Sequence, residues 1–160
     1  MDAPAPVPAF VPAFVPVDPQ FAARVRESFG RQKAMALIGA SLAVVEPGHV
    51  EIALPFRDDL TQQKGFVHGG ILGMIADSAC GYAAYSLMPA TSSLVTVEYK
   101  INILAPAKGD LVARGQVIRP GRTLTVARGE IFTADGMHVA SMQQTLMMLA
   151  DTPDVPDSPE

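Results

Sequence analysis

Apolar and polar side chains alternate along most of the second half of the chain. The alternation is unbroken over residues 95–103. One side of this stretch carries Val95, Val97, Tyr99, Ile101 and Ile103, and the other carries Thr96, Glu98, Lys100 and Asn102. A period of two residues is typical of strands with one buried face. Three further strands are predicted over 111–118, 123–133 and 137–149, the last two joined by a hairpin at Asp135-Gly136.

The first half of the chain predicts a short helix followed by a hairpin. Asp18-Pro19 is typical of a helix start, because Asp is a good N-cap acceptor and Pro fits the first helical turn. This helix is expected to end within 30–33. Two short strands are then predicted over 42–45 and 50–55, joined by a type II turn.

A long apolar stretch between these halves predicts one central helix over 69–87. It begins at Gly69-Gly70 and is stopped by Pro89. Its apolar side chains cover most of the helix circumference, which indicates a helix surrounded by protein. We therefore expect an α+β fold in which five or six antiparallel strands wrap the helix. Small residues along the helix would let a second subunit approach closely, so an isologous homodimer is expected.

Composition sets the number of domains. The chain has 160 residues, of which 49% are hydrophobic and 18% charged, and this suits one folded domain. That domain is expected to span 18–149. Residues 1–17 are expected to form a Pro-rich disordered arm, and residues 150–160 a disordered acidic tail.

Charge and hydropathy limit the partners. The net charge is -4 and Lys and Arg form no cluster, so no nucleic-acid partner is expected. No membrane partner is expected either, because no apolar run reaches the roughly 18 residues that a span needs. The sequence has one cysteine, Cys80, and its first 17 residues lack the basic region of a secretory signal. These features favour a cytoplasmic location.

Asp77 is the carboxylate of the central apolar stretch. An ionised Asp without partners among apolar side chains loses several kcal/mol of solvation, so its presence needs a reason. The first amides of a helix have no intrahelical partner, and with the helix dipole they favour a developing negative charge. A carbonyl oxygen held at Gly69-Gly70 and a water activated by Asp77 would together allow hydrolysis of an acyl group.

Two stretches resemble a known family. Val67-His68-Gly69-Gly70 followed by Ala76-Asp77 is similar to the signature of the PaaI-type acyl-CoA thioesterases, which have the hotdog fold. The segment 96–109, the Gly121-Arg122-Thr123 turn and the Asp135-Gly136 hairpin are also similar to that family. The resemblance covers roughly residues 35–149.

The resemblance implies a role for each matching residue. Asp77 matches the carboxylate that acts as general base or nucleophile, and Gly69 the residue whose N–H polarises the thioester carbonyl. His68 matches a positioning residue, although it could equally cap the helix or bond a loop carbonyl. Thr96 matches a hydroxyl that helps to hold the attacking water, and Gln62 matches an amide six residues before the histidine. In this family Gly69 and Asp77 of one site come from different subunits, and dimers commonly pair into homotetramers.

Other residues are assigned by chemistry. Gly70 is expected to bind the substrate carbonyl together with Gly69, and the turn residues Arg119 and Arg122 are candidates for binding the CoA phosphates. No metal or other cofactor is expected, because the three histidines, at 49, 68 and 138, lie in unrelated settings.

Two other functions fit the same fold. A non-catalytic acyl-CoA binding module would hold the ligand without releasing a thiol. A hydroxyacyl-thioester dehydratase would need a catalytic histidine, for which His68 is the candidate. The acyl group is left open between phenylacetyl-type, hydroxybenzoyl-type and medium-chain fatty acyl groups.

Overall fold

The computed structural model describes residues 14–154 of the chain. They form three α-helices, a 3₁₀ helix over Asp58–Leu60 and six strands. The helices are α1 (Phe21–Arg31), α2 (Lys33–Ile38) and α3 (Gly69–Tyr85). The strands are β1 (Ser41–Glu46), β2 (His49–Leu54), β3 (Ser93–Ile103), β4 (Leu111–Arg119), β5 (Leu124–Thr133) and β6 (His138–Leu149).

The six strands form one antiparallel sheet around α3. Their order is β1-β2-β4-β5-β6-β3, so β3 lies at an edge. Helix α3 packs against β4, β2 and β5 and also contacts β3 and β6. On this side the helix buries small residues, which let it lie close to the strands; they are Ala76, Ala79, Cys80 and Ala83. The predicted α+β fold, a long helix wrapped by an antiparallel sheet, is confirmed.

Two paired glycines mark the closest approach of helix and sheet. Gly115 on β4 lies opposite Gly129 on β5. A Cβ atom at Gly115 would lie 2.6 Å from the amide nitrogen of Cys80 and nearer still to the Ala79 carbonyl. A Cβ atom at Gly129 would lie 3.1 Å from Cys80 Sγ. The helix can therefore rest on the sheet only because these two residues lack side chains.

The N-terminal helical region differs from the prediction. Helix α1 begins at Phe21, and Asp18 instead holds the preceding turn, where its Oδ1 accepts from the Gln20 N–H at 2.8 Å. A second helix, α2, follows at once and is capped by Gly39, which adopts φ +77°. It was not predicted, because six residues are too few to show a helical period.

A bulge interrupts β3. Its pairing with β6 passes from Thr96 to Glu98, and Val97 is left without a partner. A bulge adds one residue to a strand and so changes which side chains face inward beyond it. Leu94 and Thr96 therefore face α3 before the bulge and Tyr99 faces it afterwards. The unbroken alternation predicted for this strand is wrong at Val97.

The ends of the described region lie against the domain. Phe14 is partly buried and covers the turn at Gly48, whose φ is +72°. Asp154 accepts hydrogen bonds from Ser28 and Arg31 on α1. Most of the predicted arm over 1–17, and 155–160 of the predicted tail, lie outside the described residues. Within 14–154, no helix is both long and apolar enough to cross a membrane.

Candidate active site

One stripe of α3 faces the edge strand β3. Its members recur every four residues and all but one are glycines; they are Gly69, Gly73, Asp77 and Gly81. Residues four apart share a helix face, so this stripe lets β3 lie close to the helix along its length. A Cβ at Gly73, for example, would lie 3.3 Å from the Tyr99 hydroxyl. Asp77 is the one residue of this stripe with a side chain, and that side chain is a carboxylate.

Asp77 is held by two side chains from neighbouring strands. The Thr96 hydroxyl donates to Asp77 Oδ1 at 2.8 Å. The side-chain amide of Gln144, on β6, donates to the same oxygen and also to Thr96 Oγ1, at 2.9 Å. Among the described residues no Lys, Arg or His lies within ion-pair distance of Asp77. The carboxylate is therefore fixed by neutral donors and is not neutralised by a cation.

Asp77 lies on a cleft that is open to solvent. The cleft has an empty volume of about 600 Å³. Its wall is partly aromatic and apolar and partly polar; the lining residues are Ser28, Gln32, Asp77, Ser78, Gly81, Tyr82, Tyr85, Leu94, Thr96 and Asp154. A half-buried carboxylate on a cleft open to solvent can take part in chemistry, whereas one in a dry ion pair could not.

Tyr82 gives the far wall of this cleft a hydroxyl. Its oxygen lies 3.1 Å from Ser28 Oγ, and Ser28 in turn donates to Asp154. Burial raises the pKa of Tyr82 to about 12, an effect that the Ser28 hydrogen bond partly offsets. The phenol therefore keeps its proton at neutral pH and, because the Ser28 proton goes to Asp154, donates it to Ser28 Oγ.

His68 caps the start of α3. Its Nδ1 accepts a hydrogen bond from the Gly70 N–H at 2.9 Å, so that nitrogen carries no proton. The cap is one of the uses that the sequence left open for His68. The Gly69 N–H has no hydrogen-bond acceptor among the described residues. Because the Gly70 N–H is already engaged, Gly69 offers the free donor at this helix start.

Gly69 lies on a different cleft from Asp77. Gln62 shares this second cleft, which is otherwise mostly apolar and includes Phe66, Ile103 and Leu104. The side-chain amide oxygen of Gln62 accepts from the Lys64 N–H. Eight residues of helix separate Gly69 from Asp77, a rise of about 12 Å. One chain therefore brings Gly69 to Gln62 and Asp77 to Thr96, but it does not bring these two pairs together.

Arg119 and Arg122 lie elsewhere in the chain. Both are exposed, around the turn between β4 and β5. Arg122 lines a groove with Phe14 and Met148 and touches neither of the two clefts. Their assignment to the CoA phosphates stays a prediction.

Sequence reasoning missed Gln144. The signal was present in β6, where inward positions alternate along the strand; they are Ala140, Met142, Gln144 and Leu146. A glutamine in an inward, otherwise apolar row is as unusual as an aspartate in an apolar helix. Its side chain is 1% exposed.

Cys80 provides a check on the packing of α3. It is fully buried, and this burial, with the nearby charges of Asp77 and Glu130, raises the pKa of its thiol far above the usual range. We expect the Cys80 thiol of the native protein not to react with a chromogenic aromatic disulfide reagent. After unfolding in guanidinium, one thiol per chain should react. Rapid reaction of the native protein would contradict the described packing.

Comparison with known proteins identifies the fold and its chemistry. The thioesterase superfamily model matches residues 64–140. A crystal structure of a thioesterase family protein from Silicibacter pomeroyi is 46% identical, with a TM-score of 0.79, over 81% of this chain and 98% of that one. A predicted esterase of Halobacterium salinarum is 32% identical over 104 residues, which cover 62% of this chain and 69% of the relative.

The likeness extends to the fold that the sequence motifs suggested. The E. coli PaaI protein from the phenylacetic acid degradation operon is 20% identical, with a TM-score of 0.78, over 84% of this chain and 96% of that one. It has the same fold, so the hotdog prediction is confirmed. Together the fold and these relatives define a thioester hydrolase. The chain belongs to the thioesterase superfamily.

Proposed function

We propose that the protein hydrolyses acyl-CoA thioesters in a site shared by two subunits. Gly69 and Gln62 of one subunit would bind the carbonyl, and Asp77 of the other, held by Thr96, would activate water. One observation carries the proposal: the free amide of Gly69 and the carboxylate of Asp77 lie on separate clefts of a single chain. Two copies are needed to bring them to one substrate.

The edge strand supports such a dimer. β3 pairs with β6 on one side, and its other side has no partner strand among the described residues. It exposes large apolar side chains, including Val97 at 54% and Tyr99 at 46%. An unpaired apolar edge favours pairing with another strand. A two-fold axis beside β3 would set the two α3 helices antiparallel, and so would bring the start of each helix toward the middle of the other. We propose that such dimers pair into a homotetramer, as the family resemblance implies.

The reaction follows from these positions. Water attacks the thioester carbon while Asp77 takes its proton, and the carbonyl oxygen gains negative charge against the Gly69 N–H. The C–S bond then breaks, and the CoA sulfur leaves as a thiol after receiving the proton from Asp77. Asp77 could instead attack the carbon directly, breaking the C–S bond to form an anhydride that water then hydrolyses. On this route the CoA thiolate takes its proton from solvent. Either route gives one free acid and one CoA.

A panel of thioesters tests the reaction and its alternatives. Phenylacetyl-, 4-hydroxybenzoyl-, octanoyl- and a 3-hydroxyacyl-CoA would each be incubated with the protein, followed by assays for free thiol and free acid. We expect stoichiometric thiol and acid from at least one of them. Tight binding without thiol would instead indicate a binding module, and conversion of a 3-hydroxyacyl thioester without thiol a dehydratase. Light scattering of the same sample gives the subunit number.

Gly69→Pro tests the amide directly. Proline lacks the N–H, and it is tolerated at the first position of a helix. The preceding residue, His68, has ψ 138°, which is compatible with a following proline. We expect kcat to fall about 10²- to 10³-fold, the usual cost of losing one oxyanion donor.

Gly69→Ala is the matched control, because it adds the same Cβ but keeps the N–H. That Cβ would lie 2.9 Å from Ile103 Cδ1, the flexible end of a side chain, so Ile103 can move aside. Steady-state kinetics of both variants should show the large loss in Gly69→Pro alone. Equal losses in both would assign the effect to crowding and remove the amide from the mechanism.

A further inference from the structure

Gln144 is a buried polar side chain among apolar neighbours. Its side chain is 1% exposed and lies between the apolar inward residues Met142 and Leu146 of β6. Its amide nitrogen donates to both Asp77 Oδ1 and Thr96 Oγ1. The structure thus places one amide across both members of the carboxylate–hydroxyl pair.

The orientation of this amide is fixed by charge. Rotating it by half a turn would place its oxygen against the Asp77 carboxylate, where both groups accept and neither donates. In the orientation present, the Gln144 oxygen is buried and has no hydrogen-bond partner among the described protein atoms. Leaving a buried acceptor unpaired costs free energy, and an apolar side chain of the same size would avoid that cost. Packing alone therefore gives no reason for glutamine here.

The consequence is that the two oxygens of Asp77 differ. Oδ1 accepts from both Thr96 and Gln144, whereas Oδ2 has no donor among the described residues. The one hydroxyl proton of Thr96 is given to Oδ1, and its oxygen accepts from Gln144. Because its one proton is used on the carboxylate, Thr96 cannot donate a hydrogen bond to the attacking water.

We propose that Gln144 is a positioning residue for the thioesterase reaction. It fixes Asp77 and Thr96 through Oδ1 and leaves Oδ2 as the atom that receives the proton of water, or attacks the thioester. This inference rests on the proposed function, because it assigns the reacting oxygen of the same carboxylate. Gln144 itself does not touch the substrate.

Gln144→Met tests the proposal. Methionine has nearly the same length but neither amide donor, so Asp77 would be free to turn. Because small misplacements of a reacting group are costly, we expect kcat to fall about 10- to 100-fold, with KM within about threefold. The melting temperature should stay the same or rise, since the unpaired acceptor is removed as well. Steady-state kinetics on the best thioester of the panel and a thermal melt give both readouts.

Gln143→Met is the matched control. Gln143 precedes Gln144 on β6 and is exposed on the opposite face of the sheet, away from Asp77. We expect its kinetics to match those of the wild type. Should Gln144→Met fail to fold, Gln144→Glu takes its place. That side chain keeps the shape but sets a second carboxylate against Asp77, and it should lose at least as much kcat.

A double-mutant cycle separates positioning from a general effect. If Gln144 acts through Asp77, Gln144→Met should cause no further loss in an Asp77→Asn background. A folded Gln144→Met protein with kcat within twofold of the wild type would overturn the inference, and so would the same fold-loss in both backgrounds. These failures leave the proposed function standing, whereas a fully active Asp77→Asn protein would remove the proposed function as well.

Discussion

Asp77→Asn is expected to lower kcat for thioester hydrolysis by about a thousandfold, since a general base contributes roughly 10²- to 10⁴-fold. Asparagine has the same shape, and its side-chain oxygen can still accept from Thr96 and Gln144, so the fold should be kept. The amide cannot take a proton from water at neutral pH. Stopped-time assays of thiol release, with circular dichroism to show folding, measure the effect.

The control for this change is Asp135→Asn, the same substitution in the exposed hairpin turn between β5 and β6. It should leave kcat unchanged. A folded Asp77→Asn protein that keeps more than a tenth of the wild-type kcat would exclude Asp77 as base or nucleophile.

The same variant tests whether the site is shared. Asp77→Asn and Gly69→Pro subunits are each inactive in their own dimers, but a mixed dimer has one site with both residues intact. Random mixing after co-refolding should therefore restore about a quarter of the wild-type activity. Absence of any recovery in verified mixed dimers would place the whole site within one chain.

Local signals predicted most of the fold. The start of α3 at Gly69 follows from two glycines after a capping side chain, and the strands follow from their alternation. The hairpin at Asp135-Gly136 and the turn at Gly48 follow from residues that tolerate positive φ, which Gly48 and Gly136 both adopt. Each of these features depends on a few adjacent residues.

The features that the sequence did not predict depend on two segments of the chain at once. The bulge at Val97 is a mismatch of register between β3 and β6, and no property of β3 alone reveals it. It has a direct consequence for the site, because Thr96 reaches Asp77 from the inward face that Tyr99 also occupies. Under unbroken alternation these two side chains would point to opposite faces.

Gln144 shows the same limit for the site. β6 contains two adjacent glutamines, and alternation along the strand turns Gln144 inward. That Gln144 meets Asp77 depends on how β6 lies against α3, which no property of β6 alone reveals. The aspartate was conspicuous because its helix is otherwise apolar, whereas the glutamine lies beside Gln143 in a mixed strand. The residue that holds the carboxylate was thus not recognised from β6 alone.

Gly115→Ala is expected to be the most damaging single-methyl change where helix and sheet meet. The added carbon would meet the backbone of α3, at 2.6 Å from the Cys80 nitrogen and nearer still to the Ala79 carbonyl. Backbone on both sides cannot move aside as a side-chain tip could, so the helix must lift from the sheet. Overpacking of a core usually lowers the free energy of unfolding by about 1–3 kcal/mol and sometimes by more. We expect Gly115→Ala to lower it by an amount at or above the upper end of this range.

Gly30→Ala is the matched comparison, the same change at an exposed site near the end of α1. Nothing lies within 4 Å of the added carbon, so alanine should stabilise the helix, by about 0.5–1 kcal/mol. Urea unfolding of both variants at one protein concentration gives the two free energies, since dimer stability depends on concentration. The two midpoints should move in opposite directions. A wild-type midpoint for Gly115→Ala would mean that α3 lies farther from β4 than described, and the Asp77 stripe would then lie farther from β3 as well.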